Sequence, residues 1–83
     1  MQDKINAIVE TIKELSEDRR IPRNIREKLD EVRRILLDSE DDLAVRIHKA
    51  VTELDSITED PNLPIYARTQ IWFLITLLES LQG

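Results

Sequence analysis

This 83-residue chain has no cysteine, a single glycine, three aromatic residues and no apolar run of 18 or more residues. The absence of cysteine excludes disulfide bonds and thiolate metal sites. Without a long apolar run, no segment is predicted to cross a bilayer. The first residues also lack the basic and apolar regions of a signal peptide, so the sequence predicts a cytoplasmic protein with no membrane partner.

The chain does contain an internal repeat with an offset of 42 residues, counted from Pro22 to Pro64. Residues 16–22 align with residues 58–64, and an arginine, Arg26 or Arg68, stands four residues after each proline. Each repeat holds two stretches with apolar residues at helical spacing. Repeats of two helices are typical of stacked helical hairpins, whose units in the HEAT and armadillo classes are about 40–47 residues long.

The predicted fold is therefore all-α, with one domain at residues 1–83 and four main helices that form two HEAT-like antiparallel hairpins. Repeat one is expected at about 2–37 and repeat two at about 40–82, with Ser39 capping the third helix. One face of each helix should supply the core. The predicted core residues are Ile5, Ile8, Val9, Ile12, Leu15, Ile25, Leu29, Val32, Leu36, Leu43, Ile47, Val51, Leu54, Ile57, Ala67, Ile71, Leu74, Leu78 and Leu81.

The last helix departs from the repeat. Where the second helix carries charged residues on its outer face, the fourth has apolar ones, and a helix that is apolar on most sides is buried on most sides. The fourth helix is therefore either the central helix of a small bundle or an interface. Large aromatic residues are enriched in interface cores, so we expect a homodimer or a protein partner at this helix. The interface candidates are Tyr66, Trp72, Phe73, Ile75 and Leu77.

Charge is unevenly distributed along the chain. The net charge is −5, yet residues 19–34 hold seven basic and three acidic residues, a local charge of +4. Arg19, Arg20 and Arg23 are candidate phosphate contacts. Against nucleic-acid binding, the basic residues alternate with acidic ones at i,i+4 spacing and no aromatic residue lies among them. RNA or ribosome binding through this face of the second helix is the alternative function.

Catalytic and metal sites have weaker support. The pairs Glu17–Asp18 and Glu59–Asp60 suggest a small hydrolase, but they recur at the same place in both repeats, which favours a structural role in the turns. The acidic run at residues 38–42 lacks the glycine and distant glutamate of a calcium loop. His48, the sole histidine, has no second histidine or cysteine with which to share a metal. We predict a non-enzymatic protein without metal, cofactor or small-molecule substrate.

The strings LSEDRRIPRNIR, EDDLAVRI and SITEDPNLPIYARTQIW resemble an uncharacterised archaeal family, uncharacterised protein family 0147. The resemblance implies a small, all-helical cytoplasmic protein with no assigned activity and no catalytic residue to carry over. The turn aspartates and helix arginines also look like those of HEAT repeats, which implies structural pairs of Asp18 with Arg26 and Asp60 with Arg68. From the residues alone, the turn acids can accept from these arginines or from free N–H groups at the helix starts, and each arginine is expected to bond acids or carbonyls of its own turn. The expected function is a protein-interaction or scaffold module that self-associates through its last helix.

Overall fold

The computed structural model describes residues 2–82, and all regular secondary structure in this span is helical. The helices are α1 (Gln2–Ser16), α2 (Arg23–Leu37), α3 (Leu43–Thr58) and α4 (Ile65–Gln82). The all-α fold and its two helical hairpins are thus confirmed. The third helix begins later than predicted, because Asp42 and not Ser39 stands at its N-cap position. None of these helices is long and apolar enough to cross a membrane.

The core is built from one face of each helix. All the residues predicted for the inner faces of α1 and α2 are buried, and so are most of those in α3 and α4. Leu43, Val51 and Leu81 are only partly buried, whereas Ala50 joins the core of α3. No polar or charged residue between 2 and 82 is buried. Apolar burial is therefore what holds the helices together.

The helices pack in chain order, α1 on α2, α2 on α3 and α3 on α4, and α1 meets α4 at only a few positions. Because the connections are short, neighbouring helices run antiparallel. In a solenoid, equivalent helices of successive repeats lie side by side. Among the described helices, however, no Cα atoms of α1 and α3, or of α2 and α4, come within 8 Å of each other. The contacts describe a loosely closed ring of four helices and give no support to a HEAT-like stack.

All three turns between the helices share one backbone construction. In each, an aspartate side chain accepts a hydrogen bond from the backbone N–H two residues later, at 2.9 Å for Asp18, 3.0 Å for Asp38 and 2.9 Å for Asp60. The backbone carbonyl of the same aspartate accepts the N–H three residues later. Such aspartate turns need no positive φ angle, and no described residue has one.

The turn between α2 and α3 belongs to this series although it lacks proline. Asp42 has φ −59° and ψ 151°, close to φ −54° and ψ 146° for Pro22 at the equivalent position before α2. The turn aspartates Asp18, Asp38 and Asp60 are 20 and 22 residues apart. The structural repeat is therefore one helix and one turn, and the 42-residue offset spans two of these units.

An arginine eight residues after each turn aspartate folds back onto the turn. Arg26 donates to the carbonyl oxygen of Ile21 at 2.9 Å, and Arg46 donates to the carbonyl oxygens of Asp41 at 3.0 Å and Leu36 at 3.1 Å. These half-buried guanidinium groups supply donors to carbonyl oxygens at helix ends and turns. The arginines therefore fix the angle at which each helix leaves its turn.

Arg68 makes the largest set of such bonds. It donates to the carbonyl oxygens of Thr58 at 2.9 Å, Asp60 at 3.1 Å and Leu63 at 3.4 Å. Its contact with Asp60 is to the backbone and not to the carboxylate. Asp18 and Asp60 accept backbone N–H groups of their own turns, so the side-chain pairs of Asp18 with Arg26 and Asp60 with Arg68 are not formed. Both arginines nevertheless bond carbonyl oxygens of their own turns, as expected.

Candidate interaction surface

The outer face of α4 carries the largest exposed apolar side chains of the described chain. Ile65, Phe73 and Trp72 are 78%, 64% and 54% exposed. The other large exposed apolar residues, Leu37 and Val45, are single aliphatic side chains on α2 and α3. A cluster of this kind on one helix is typical of an interaction site, whereas isolated apolar residues on a surface are ordinary.

One row of α4 side chains at i,i+4 spacing has no charged member. It consists of Ile65, Thr69, Phe73, Leu77 and Leu81, and we call it the α4 ridge. Each step of four residues turns by about 40°, so the ridge winds around α4 as it runs along it. Its part from Thr69 to Leu81 faces α1, whereas Ile65 lies about 20° around the helix from Trp72 and outside that part. It begins fully exposed at Ile65 and is partly buried at Leu77 and Leu81.

A groove of about 690 Å³ separates the α4 ridge from α1. Its α4 wall is made by the ridge from Thr69 to Leu81 together with neighbouring residues. Its α1 wall is made by Lys4, Ala7, Ile8 and Thr11. Ala7 and Thr11 are short side chains one helical turn apart, so they leave the space between the two helices unfilled. We call this hollow the α1–α4 groove.

Two of the predicted interface residues are engaged inside the molecule. Ile75 is only 7% exposed and belongs to the core, so it is unavailable to a partner. Tyr66 is half-buried, and its hydroxyl donates a hydrogen bond to Oδ2 of Asp18 at 2.6 Å. Leu77 is partly buried in the groove wall. Of the five candidates, Trp72 and Phe73 are the ones with large exposed areas.

Asp18, Arg20 and Tyr66 form a polar cluster that joins the first turn to the start of α4. The Arg20 guanidinium donates to both carboxylate oxygens of Asp18 at 3.0 Å and lies 4.5 Å from the centre of the Tyr66 ring. The bonds from Arg20 and Tyr66 hold the pKa of Asp18 well below its usual value. The same hydrogen bond to Asp18, with partial burial, raises the pKa of Tyr66. The cluster therefore links the turn after α1 to the first turn of α4.

The basic face of α2 is extensively paired with acidic neighbours. Arg23 bonds Glu27 at 3.2 Å and Arg33 bonds Asp30 at 2.8 Å. Arg34 bonds both Asp30, at 3.1 Å, and Glu31. Of the candidate phosphate contacts, Arg20 is held by Asp18, Arg23 is paired and Arg19 is exposed. Much of the local positive charge is therefore paired with carboxylates of the same chain.

The residues considered for catalysis lie at the surface. Glu17 is exposed at the edge of a polar hollow of about 380 Å³ between α1 and α2, beside Lys13 and Arg23. Glu59 and His48 are exposed on α3 and its following turn. Between residues 2 and 82, no three potential metal ligands lie close enough together to hold an ion. General acid–base catalysis needs carboxylates in distinct environments that face one cleft. Glu17 and Glu59 are both exposed and belong to different turns, so they do not form such a site.

Sequence reasoning missed the α1 wall of the groove and the bond between Asp18 and Tyr66. Both depend on how distant helices meet, which periodicity does not reveal. It also missed Arg46, although the spacing from Asp38 to Arg46 equals that from Asp18 to Arg26. That eight-residue interval was a usable signal, but an alignment centred on the prolines passes over a turn that has none.

Comparison with known proteins places the chain among archaeal relatives. A family model described as an uncharacterised protein family, UPF0147, matches residues 1–81. A UPF0147 protein of Thermococcus kodakarensis is 40% identical over 83 residues, which covers 99% of this chain and 100% of that protein. A UPF0147 protein of Methanothermobacter thermautotrophicus is 38% identical over 80 residues, 96% of this chain and 78% of its relative.

Two crystal structures have the same fold. The unknown-function protein MMP1188 superposes with a TM-score of 0.91 at 43% identity, covering 95% of this chain and 90% of that one. A protein of the uncharacterised family UPF0147 from Thermoplasma acidophilum superposes with a TM-score of 0.90 at 30% identity, covering 96% and 94%. The match over nearly the whole chain, in both sequence and fold, means that the chain belongs to the uncharacterised protein family UPF0147.

Proposed function

We propose that this protein is a non-enzymatic interaction module that self-associates through α4. The observation that carries the proposal is the exposed apolar face of α4 on a chain in which 35% of the residues are charged. Exposed aromatic side chains such as those of Trp72 and Phe73 belong to the residue types that are enriched in protein interfaces. A monomer gains nothing from keeping them in water.

Self-association is the form of interaction that the charge favours. Copies of a protein with a net charge of −5 repel each other, and that repulsion is weakest where neutral faces meet. Along α4 the charged residues are only Arg68 and Glu79, and Arg68 is turned toward its own backbone. A partner protein with a similar neutral helix would use the same surface.

RNA or ribosome binding through α2 is the competing function suggested by the sequence. Against it stands the acidic partner close to each of several arginines, because these carboxylates lower the positive potential that a phosphate would meet. The paired arginines are Arg20, Arg23, Arg33 and Arg34. We therefore do not adopt it. Steep weakening of RNA binding as salt is raised is the result that would restore it.

The test is the mass of the protein in solution. Size-exclusion chromatography with light scattering should give about twice the 9.7 kDa of the chain, and the mass should fall toward 9.7 kDa on dilution. The double variant Trp72→Glu/Phe73→Glu should give 9.7 kDa throughout while keeping its helical circular dichroism. A natural protein that stays at 9.7 kDa at every concentration would refute self-association.

A further inference from the structure

We propose that the α1–α4 groove is the site occupied by a second copy of this chain, with Phe73 of each copy seated in the groove of the other. This inference rests on the proposed self-association and specifies its geometry. It assigns the contact to the ridge side of α4, and leaves Trp72, which lies about 100° around the helix from Phe73, outside the interface.

The surface is self-complementary, as a two-fold contact requires. In such a contact the same patch must offer both the projecting group and the hollow that receives it. Phe73 projects from the α4 ridge with 64% of its surface exposed, and it also borders the groove. Ridges of one helix pack into grooves of another, so the ridge of one copy can enter the groove of its partner.

The hollow has the shape and chemistry to receive an aromatic side chain. Its floor is apolar, with Ile8 and Leu74 both buried in the core beneath it. Ala7 and Thr11 leave room on the α1 side, and Lys4 marks one end. At about 690 Å³ the groove exceeds the space needed for one aromatic ring, so the flanking ridge residues can enter with it.

Phe73 also has the right position along the helix. It lies near the midpoint of α4, which runs from Ile65 to Gln82. A two-fold axis close to the middle of a helix lets two antiparallel copies overlap over their full length. Contacts centred near either end would leave half of the ridge in water, which is less favourable.

The area of this face is of the same order as one side of a dimer interface. An 18-residue helix is about 27 Å long, and α4 with the wall of α1 spans about two helix diameters, or about 20 Å. The projected area is thus on the order of 540 Å², and the corrugated accessible surface is larger than the projection. Standard interfaces bury about 800 Å² on each partner, so a second copy fits the extent of this face.

Four single variants separate this geometry from others, with sedimentation equilibrium as the measurement. Phe73→Glu and Ala7→Glu each place a charge in the groove, one from each wall, and both should yield monomers. Trp72→Glu changes an exposed part of α4 outside the groove, and Asn6→Glu places the same charge on an exposed part of α1 outside the groove. Both of these should remain dimers with dissociation constants within about threefold of the natural value.

A milder variant distinguishes loss of the dimer from loss of folding. Phe73→Ala removes the ring without adding charge and should raise the dissociation constant about 30-fold, the usual effect of losing a central aromatic residue. The helical circular dichroism should stay close to that of the natural chain, since Phe73 is mostly exposed. The thermal midpoints of the two proteins should agree at a dilution where both are monomers. Dimerisation should not weaken as salt is raised, because no ridge residue is charged and added salt screens the repulsion between two copies with a net charge of −5.

The outcomes distinguish the inference from the proposed function. If the natural chain dimerises but Ala7→Glu and Phe73→Glu leave the dimer intact, the groove assignment is wrong while self-association stands. If Trp72→Glu alone yields monomers, the interface lies on the Trp72 side of α4, outside the groove, and the inference again fails. A natural chain that is monomeric at every concentration overturns both.

Discussion

Replacing Arg68 with alanine should lower the free energy of unfolding by about 2–3 kcal/mol. Its guanidinium donates to three backbone carbonyl oxygens, those of Thr58, Asp60 and Leu63. A hydrogen bond that involves a charged group contributes about 1.5–3 kcal/mol, but three bonds from one half-buried group do not add fully and water replaces part of the loss. For a domain of this size, the loss corresponds to a fall in thermal midpoint of about 10–20 °C.

The equivalent arginines of the other turns provide a graded series. Arg46 satisfies two carbonyl oxygens and Arg26 one, so their alanine variants should cost about 1.5–2 and about 1 kcal/mol. Arg34→Ala is the control, because this arginine makes exposed ion pairs on a helix surface and should cost less than about 0.5 kcal/mol. Arg68→Lys should not restore stability, since one ammonium cannot replace the planar fork of donors.

Urea unfolding followed by circular dichroism gives these free energies. The decisive feature is the order, with Arg68 above Arg46 and Arg46 above Arg26. If the three variants lose equal stability, or if Arg68→Ala loses no more than Arg34→Ala, the turn carbonyls do not depend on the arginines. The explanation of how the helices leave their turns would then be wrong.

Other contacts allow shorter tests. Because hydrogen bonds lower the folded-state pKa of Asp18, the stabilisation it gives is full above the unfolded pKa near 4 and is lost as pH falls. The difference in thermal midpoint between the natural chain and Asp18→Asn should therefore shrink between about pH 5 and pH 2. Absorbance titration of the single tyrosine should show Tyr66 ionising above its ordinary value of about 10, and Asp18→Asn should bring it back; an unchanged curve would refute the bond. Ile75→Ala should cost about 3 kcal/mol in urea unfolding and Trp72→Ala less, and the reverse order would contradict their burial.

Much of the core could be predicted from the sequence because apolar spacing determines which side of each helix faces inward. The buried faces of α1 and α2 follow from apolar residues at intervals of three and four, such as Ile5 in α1 and Leu29 in α2. In α4 the same spacing placed both Ile75 and Trp72 beside the predicted inner face and not on it. Their different burial depends on where the neighbouring helices lie, which is a property of the packed structure.

The turns and the groove show two further limits of sequence reasoning. Asp42 adopts the backbone angles that proline has at the other turn, so a repeat recognised through its prolines hides the shorter unit of one helix and one turn. The groove arises because Ala7 and Thr11 of α1 happen to face α4, at a distance of more than 60 residues along the chain. No local pattern records that pairing, whereas the unusual apolarity of α4 was visible from composition alone.

The most direct test of the interaction surface is a concentration series of amide NMR spectra of the natural protein. If two copies meet through the groove, the signals that move on dilution should come from α4 between Thr69 and Leu81 and from α1 between Lys4 and Thr11. Signals of α2, where the arginines lie, should stay in place. Movement centred on α2, or spectra that do not change between the highest and lowest concentrations, would contradict self-association through this surface.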